Sequence, residues 1–317
     1  MTDIDAERAE YRRLKKERQR KRALLSNPRP LHIMLLPAVI CVFIFAYLPL
    51  AGIVMAFQNY KSLLGFFKSD FVGLDQFKYI FTIPGFWNSL RNTVIIAFFK
   101  IALGILVPLA ISILLNELSG KFFKRYVQTV IFIPFFFSWA ILGGIVLEVL
   151  SYDGIINNII TSVGGERMPF LIMNKYFRTI VIGTDVWKGM GYNTVIFLAA
   201  ITNIDPTLYE AAMVDGAGRV AQLWHITLPN IASIIMLLTI LGLGGILNAG
   251  FDQIFILSNP IVQETVDIID TFVYRLGIVN AQYSAAAAAG LFKSVVSIFV
   301  VGGSYLLAYK FTDYRVF

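Results

Sequence analysis

The chain has 317 residues, 57% of them hydrophobic and 15% charged, with a mean hydropathy of +0.70 and a formal net charge of +7. Too few charged residues are available to coat a water-soluble body of this size, so composition points to an integral membrane protein. The single cysteine, Cys41, lies in an apolar run, and His32 and His225 are far apart, which excludes disulfides and any metal site of cysteine or histidine spacing.

The first thirty residues form a basic tail that includes the run RLKKERQRKR. Its charge is accounted for by topology and by contact with anionic lipid headgroups, with no nucleic-acid role required. A membrane-spanning helix needs about 20 apolar residues. Six segments qualify, at roughly 31–58, 88–115, 126–150, 177–202, 230–257 and 285–309. No charge falls between Arg29 and Lys61, too long a run for a signal-peptide core, and Pro37 and Pro49 are expected to kink it. No internal repeat is visible. With the tail in the cytoplasm, sixteen lysines and arginines fall on the inner side and six on the outer. The expected fold is therefore all-α, with six transmembrane helices over 31–317, N-terminus and C-terminus both inside.

The connection at about 203–229 has its own architecture. Asp205-Pro206 is an N-cap followed by proline at the first helical position, which starts a helix over TLYEAAMVD. Gly216 and Gly218 let the chain turn, RVAQLWHIT reads as a second short helix, and Pro229 is expected to open the fifth span. Ala211 and Ala212 leave a shallow place where a partner can approach. Glu210-Ala211-Ala212, then Gly216 after three residues, then Ile226-x-Leu228-Pro229 after nine more, resembles the EAA motif of ABC importer permeases. The segments FVGLDQFKYIF (71–81), IPFFFSWAILGG (133–144), DVWKGMGYNTVIFLAAITNIDPTLYEAA (185–212), GFDQIFILSNP (250–260) and DIIDTFVYRLGI (267–278) are similar to the maltose-type branch that imports oligosaccharides or larger glycans. The large outer insertion of the maltose permease itself is missing.

The resemblance implies a type I ABC importer permease in the bacterial cytoplasmic membrane. It implies a second permease, favouring a heterodimer, two ATP-binding subunits that hold ATP and Mg, and an extracellular lipid-anchored solute-binding protein. Glu210, Ala211, Ala212, Asp215, Gly216, Ile226, Leu228 and Pro229 would then form the coupling loop that docks on the ATPase, with Arg219 as a further contact. The chain contains no G-x-x-x-x-G-K-[ST] loop, so it is expected to be a transport subunit and not an enzyme, with no cofactor of its own.

Five charged residues lie well inside the expected spans, away from their ends: Lys100, Asp185, Lys188, Asp252 and Lys293. Each should face a cavity or a partner, and Asp185 and Lys188, three apart on a helix, could pair with each other. Sugar sites combine aromatic faces with hydrogen-bonding groups, which adds Trp139, Trp187, Tyr192, Asn193, Asn248 and Gln253 as candidates; the aromatics could equally be interfacial belt residues. The small residues Gly242, Gly244, Gly245, Gly302, Gly303 and Ala285–Ala289 read as a packing interface with the second permease. Three other readings remain: a membrane transferase built on Asp267 and Asp270, an ion-driven transporter, and an ABC permease for an amino acid, polyamine or phosphate ester.

Overall fold

A computed structural model describes residues 29–118 and 120–312, together with Arg13, Lys15 and Lys16. Most of the expected basic tail, and Arg315, lie outside the described residues. The chain divides into two compact units, Met1–Val54 and Met55–Phe317.

In the first unit, α1 (Arg29–Val42) carries Pro37 and passes into a π-helical turn, Phe43–Tyr47. A 3-10 run, Leu48–Phe57, continues across the boundary, so that His32–Phe57 forms one apolar stretch long enough to cross a membrane. Most of its large side chains, among them Ile33, Phe45 and Leu48, are exposed.

The second unit is helical apart from one short antiparallel pair, β1 (Gln58–Asn59) with β2 (Asp70–Phe71). Besides a single helical turn at Gly65–Lys68, the helices are α2 (Asp75–Thr82), α3 (Phe86–Glu117), α4 (Lys121–Phe132), α5 (Trp139–Val149), α6 (Ile155–Ser162), α7 (Asn174–Thr202), α8 (Pro206–Val214), α9 (Arg219–Gly244), α10 (Phe251–Leu257), α11 (Gln263–Val266), α12 (Ile269–Tyr274) and α13 (Tyr283–Thr312). Among the described residues four helices are long and apolar enough to cross a membrane, or five if the bent pair α4–α5 counts as one span. The 29-residue α7 carries Lys175, Arg178, Asp185 and Lys188 and falls outside that set, yet it is the axis of the fold. Phe177, Val181, Ile182 and Val186 on α7 pack with Ile96 and Ala97 of α3, Val146 of α5, and Ile254 and Leu257 of α10.

Three expectations are corrected. The fifth span does not run from 230 to 257: α9 stops at Gly244, and α10 starts at Phe251 after a non-helical stretch. Gly250 there has φ +95°, a conformation that side chains rarely adopt, and the Lys100 ammonium would lie 2.9 Å from a Cβ on it. At its other end the span starts at Arg219, not at Pro229. A π-helical turn, Leu223–Thr227, lets the Leu228 N–H reach back five residues to Leu223 O. The widened turn accommodates a proline ring with no N–H to offer. The same device, Leu48 N–H to Phe43 O, precedes Pro49 in the first unit. Finally, Ala285, Ala286, Ala288 and Ala289 face the chain's own core, against Ile80, Phe86, Ile269 and Phe272, and do not form an outward interface. Their small size lets α13 lie close to α12.

Candidate functional site

Two groups of the expected residues are brought into definite arrangements. One is the loop between α7 and α9. Asp205 caps α8 by accepting a 2.9 Å hydrogen bond from the Thr207 N–H, and that bond holds its carboxyl below the usual carboxylate range. At the other end, Ala217 N–H bonds Ala212 O (2.8 Å) and Gly216 N–H bonds Met213 O (3.1 Å), with Gly216 at φ +78°. This double bond pattern around a left-handed residue is why glycine stands there. The base of the loop is anchored. Tyr209 and Ile226 pack on Ile201, Ile204 and Ile231, beside Leu109 and Ile113 of α3, and the Tyr209 hydroxyl lies 3.0 Å from that of Thr227. Arg219 reaches Glu117 of α3 at 3.2 Å. The tip is exposed: Glu210, Ala211, Asp215 and Gly216 face outward, beside Met213 and Val214, the latter 88% exposed. Leu228 is half-buried and Pro229 exposed on α9.

The second group surrounds a cavity of about 440 Å³ between α3, α7 and α9, lined by Lys100, Asp185, Asn193 and Asn248 among others. Lys100, 8% exposed, donates to Asp185 (3.2 Å), to Ala249 O (2.7 Å) and to Gln253 Oε1. Gln253 is fully buried behind the cavity, and its amide also donates to Val181 O and Thr184 Oγ1. Asn193 donates to Gly104 O at 2.9 Å. Lys293 donates to Asn248 Oδ1 at 2.8 Å and pairs with Asp270. The backbone break 245–250 is thus held by a lysine from α3 and another from α13. Its Ala249 carbonyl, freed from helical bonding, is satisfied by an ammonium, as non-helical backbone at membrane depth must be. Both lysines are neutralised by carboxylates, so the wall offers amides and backbone groups with little net charge.

Asp185 and Lys188 do not pair with each other, because Lys100 takes the carboxylate. The Lys188 ammonium instead donates to Phe135 O (3.1 Å) and Phe137 O (2.6 Å), where α4 and α5 meet at 107°. It lies 5.8 Å from the Phe135 ring and 5.9 Å from that of Trp139. Tyr192 stacks on Phe135 with centroids 4.8 Å apart. Trp139, Lys188 and Tyr192 therefore form a separate aromatic and cationic cluster. Trp187 and Asp252 are exposed and belong to neither group. Sequence reasoning missed Asp270 as the partner of Lys293, and missed Phe135; the glycine-dense GLGGILNAG before Phe251 was the available signal for the break. Asp267 and Asp270, the candidate carboxylate pair, go to different cations: Asp267 accepts two hydrogen bonds from Arg275, and Asp270 holds Lys293.

Comparison with known proteins agrees over nearly the whole chain. Residues 100–312 match the model of the family described as binding-protein-dependent transport system inner membrane component. The polygalacturonan/rhamnogalacturonan transport system permease protein YteP of Bacillus subtilis is 41% identical, with 95% of each chain aligned. A chain of a bacterial ABC transporter involved in import of the acidic polysaccharide alginate superposes with a TM-score of 0.83 and 35% identity, covering 95% of this chain and 99% of that one. The bacterial alginate transporter in complex with an alginate pentasaccharide-bound periplasmic protein gives 0.83 and 36%, covering 92% and 98%.

Proposed function

Because this chain belongs to the family of binding-protein-dependent transport system inner membrane components, we propose that it is the permease subunit of an ATP-driven importer whose cargo is an oligosaccharide or polysaccharide fragment. The reading is carried by the end-to-end likeness to a permease named for polygalacturonan and rhamnogalacturonan and to an importer of alginate. Both named cargoes are polymers that bear uronates, and we assign this chain the same class. Lys188 supports the choice: of the candidate lysines, it is the one whose ammonium meets carbonyls and ring faces and no carboxylate.

In this reading α7 and the bent pair α4–α5 complete six spans, with both termini in the cytoplasm. The partners are a second permease, two ATP-binding subunits and an external sugar-binding protein. Force enters through α8. Its exposed tip, Glu210 to Gly216, sits on the ATPase, and its base is packed against α3, α7 and α9, so displacement of the tip is delivered to the helices that wall the cavity. A rigid, capped helix on a packed base transmits displacement where a plain loop would absorb it.

The test is ATPase activity of the reconstituted complex with its binding protein, titrated with trigalacturonate, maltotriose, an amino-acid mixture and glycerol phosphate. Stimulation by trigalacturonate supports the reading. Stimulation by a non-sugar alone would overturn the carbohydrate assignment, and uptake that persists without ATP would overturn the ABC mechanism.

A further inference from the structure

A second cavity, of about 460 Å³, lies apart from the one between α3, α7 and α9. It is an open depression bordered by the end of β1, by α2 and by the first turn of α13. Asn59, Tyr60, Gln76, Tyr79, Gln282 and Tyr283 line it. Among the described residues the side-chain amides and phenol hydroxyls of these six have no hydrogen-bond partner within the protein; Tyr60, Gln76 and Tyr283 are half-buried, and Asn59, Tyr79 and Gln282 are exposed at the rim. The pocket is nonetheless built firmly. The Tyr60 N–H donates to Ser284 Oγ at 2.8 Å, and the Tyr60 ring meets Tyr283 edge-on with centroids 6.0 Å apart. Ala281 holds a left-handed conformation at φ 54° where the chain turns into α13. The Gln282 N–H reaches back to Leu276 O at 3.0 Å, which fixes where Gln282 and Tyr283 stand. Asp75 is the one carboxylate in the lining, and Lys78 pairs with it at 2.8 Å.

Flat aromatic rings beside unengaged amides and hydroxyls, with the only charge neutralised, are suited to a hydroxyl-rich ring. The phenol faces take its C–H side and the amides take its hydroxyls. We infer that this cavity is a binding subsite for one pyranose ring of the glycan, recognised through its hydroxyls without an ionic contact. The inference rests on the carbohydrate-importer reading, in whose orientation β1, α2 and the start of α13 stand on the outer face. The cavity would then hold the glycan outside the central path, between its release from the binding protein and its passage inward.

The experiment uses the complete complex in nanodiscs with its binding protein, and trigalacturonate as the probe. Gln76→Ala and Tyr283→Ala should each raise the half-saturating concentration for ATPase stimulation by up to about tenfold, the effect of losing one hydrogen bond or one ring contact at a half-buried position. The maximal rate should not change, and raising the salt concentration should leave the ratio of variant to wild type unaltered. Unchanged half-saturation in Gln76→Ala, in a complex that assembles normally, would overturn the subsite. So would an equal loss of affinity for the sugar-free binding protein, since the cavity would then be a protein-docking pocket. If wild type responds to a non-sugar and to no glycan, the carbohydrate reading itself fails and this inference fails with it. That result is distinct, because it is read in the unmodified complex.

Discussion

Removing the carboxylate that faces Lys100 should destabilise the protein, and removing Lys100 as well should cost less than the two single losses added together. In Asp185→Asn a side chain only 8% exposed keeps its charge but loses its countercharge 3.2 Å away. At an effective dielectric of about 20 that attraction is roughly 5 kcal/mol. Asp185 is 33% exposed, so solvent screening reduces the loss to about 2–3 kcal/mol. In Lys100→Met the buried acceptors Ala249 O and Gln253 Oε1 lose their donor, about 1–3 kcal/mol each, and Asp185 is left facing the cavity unpaired. The double variant Lys100→Met/Asp185→Asn keeps only the orphaned acceptors, because no unpaired charge remains. The drop in its thermal midpoint in the purified complex should therefore be smaller than the two single drops added together. Additive losses, with the double variant melting well below both singles, would refute the claim that the pair acts as one unit holding α3, α7 and the 245–250 break together.

Glu210→Lys and Gly216→Asp should leave membrane insertion and subunit assembly intact while lowering ATP-driven uptake by roughly an order of magnitude or more, the scale of a lost or reversed interfacial charge; near-normal uptake in either would remove the docking role. Lys188→Met should raise the half-saturating concentration of trigalacturonate and leave that of a neutral trisaccharide unaffected, and equal effects on both would make Lys188 a structural tether of the α4–α5 bend. Asp205 caps α8 as a carboxylate held below its ordinary pKa of 3.8, so its contribution is complete above that value and is lost as pH falls through the lower, folded value. Exchange protection of the α8 amides should fall below about pH 4 in wild type and show no such step in Asp205→Asn.

The membrane class and the capped, glycine-ended α8 were legible in sequence because each depends on local chemistry. Apolar run length is read directly, and Asp205-Pro206 and Gly216 state their backbone conformations. The breaks were not legible. An apolar count runs straight through 245–250 and 133–138, since it measures transfer into lipid and is blind to a carbonyl rescued by a lysine on another helix. Partner choice was hidden for the same reason. Asp185 and Lys188 are neighbours by spacing, yet Lys100, 85 positions earlier in the chain, takes the carboxylate, while Lys188 is held by the Phe135 and Phe137 carbonyls. The run Ala285–Ala289 has the composition of an interface between chains and proved to be one within this chain. Small residues announce close approach without saying to what.

The central claim is that this chain carries a glycan across the membrane on energy delivered by a partner ATPase. Its most direct measurement is uptake of labelled trigalacturonate into proteoliposomes holding the whole complex, with the binding protein on one face and ATP on the other. Accumulation that requires both, and that stops with a non-hydrolysable ATP analogue while surviving an uncoupler, is the predicted result. Accumulation driven by an ion gradient in the absence of ATP would contradict the account.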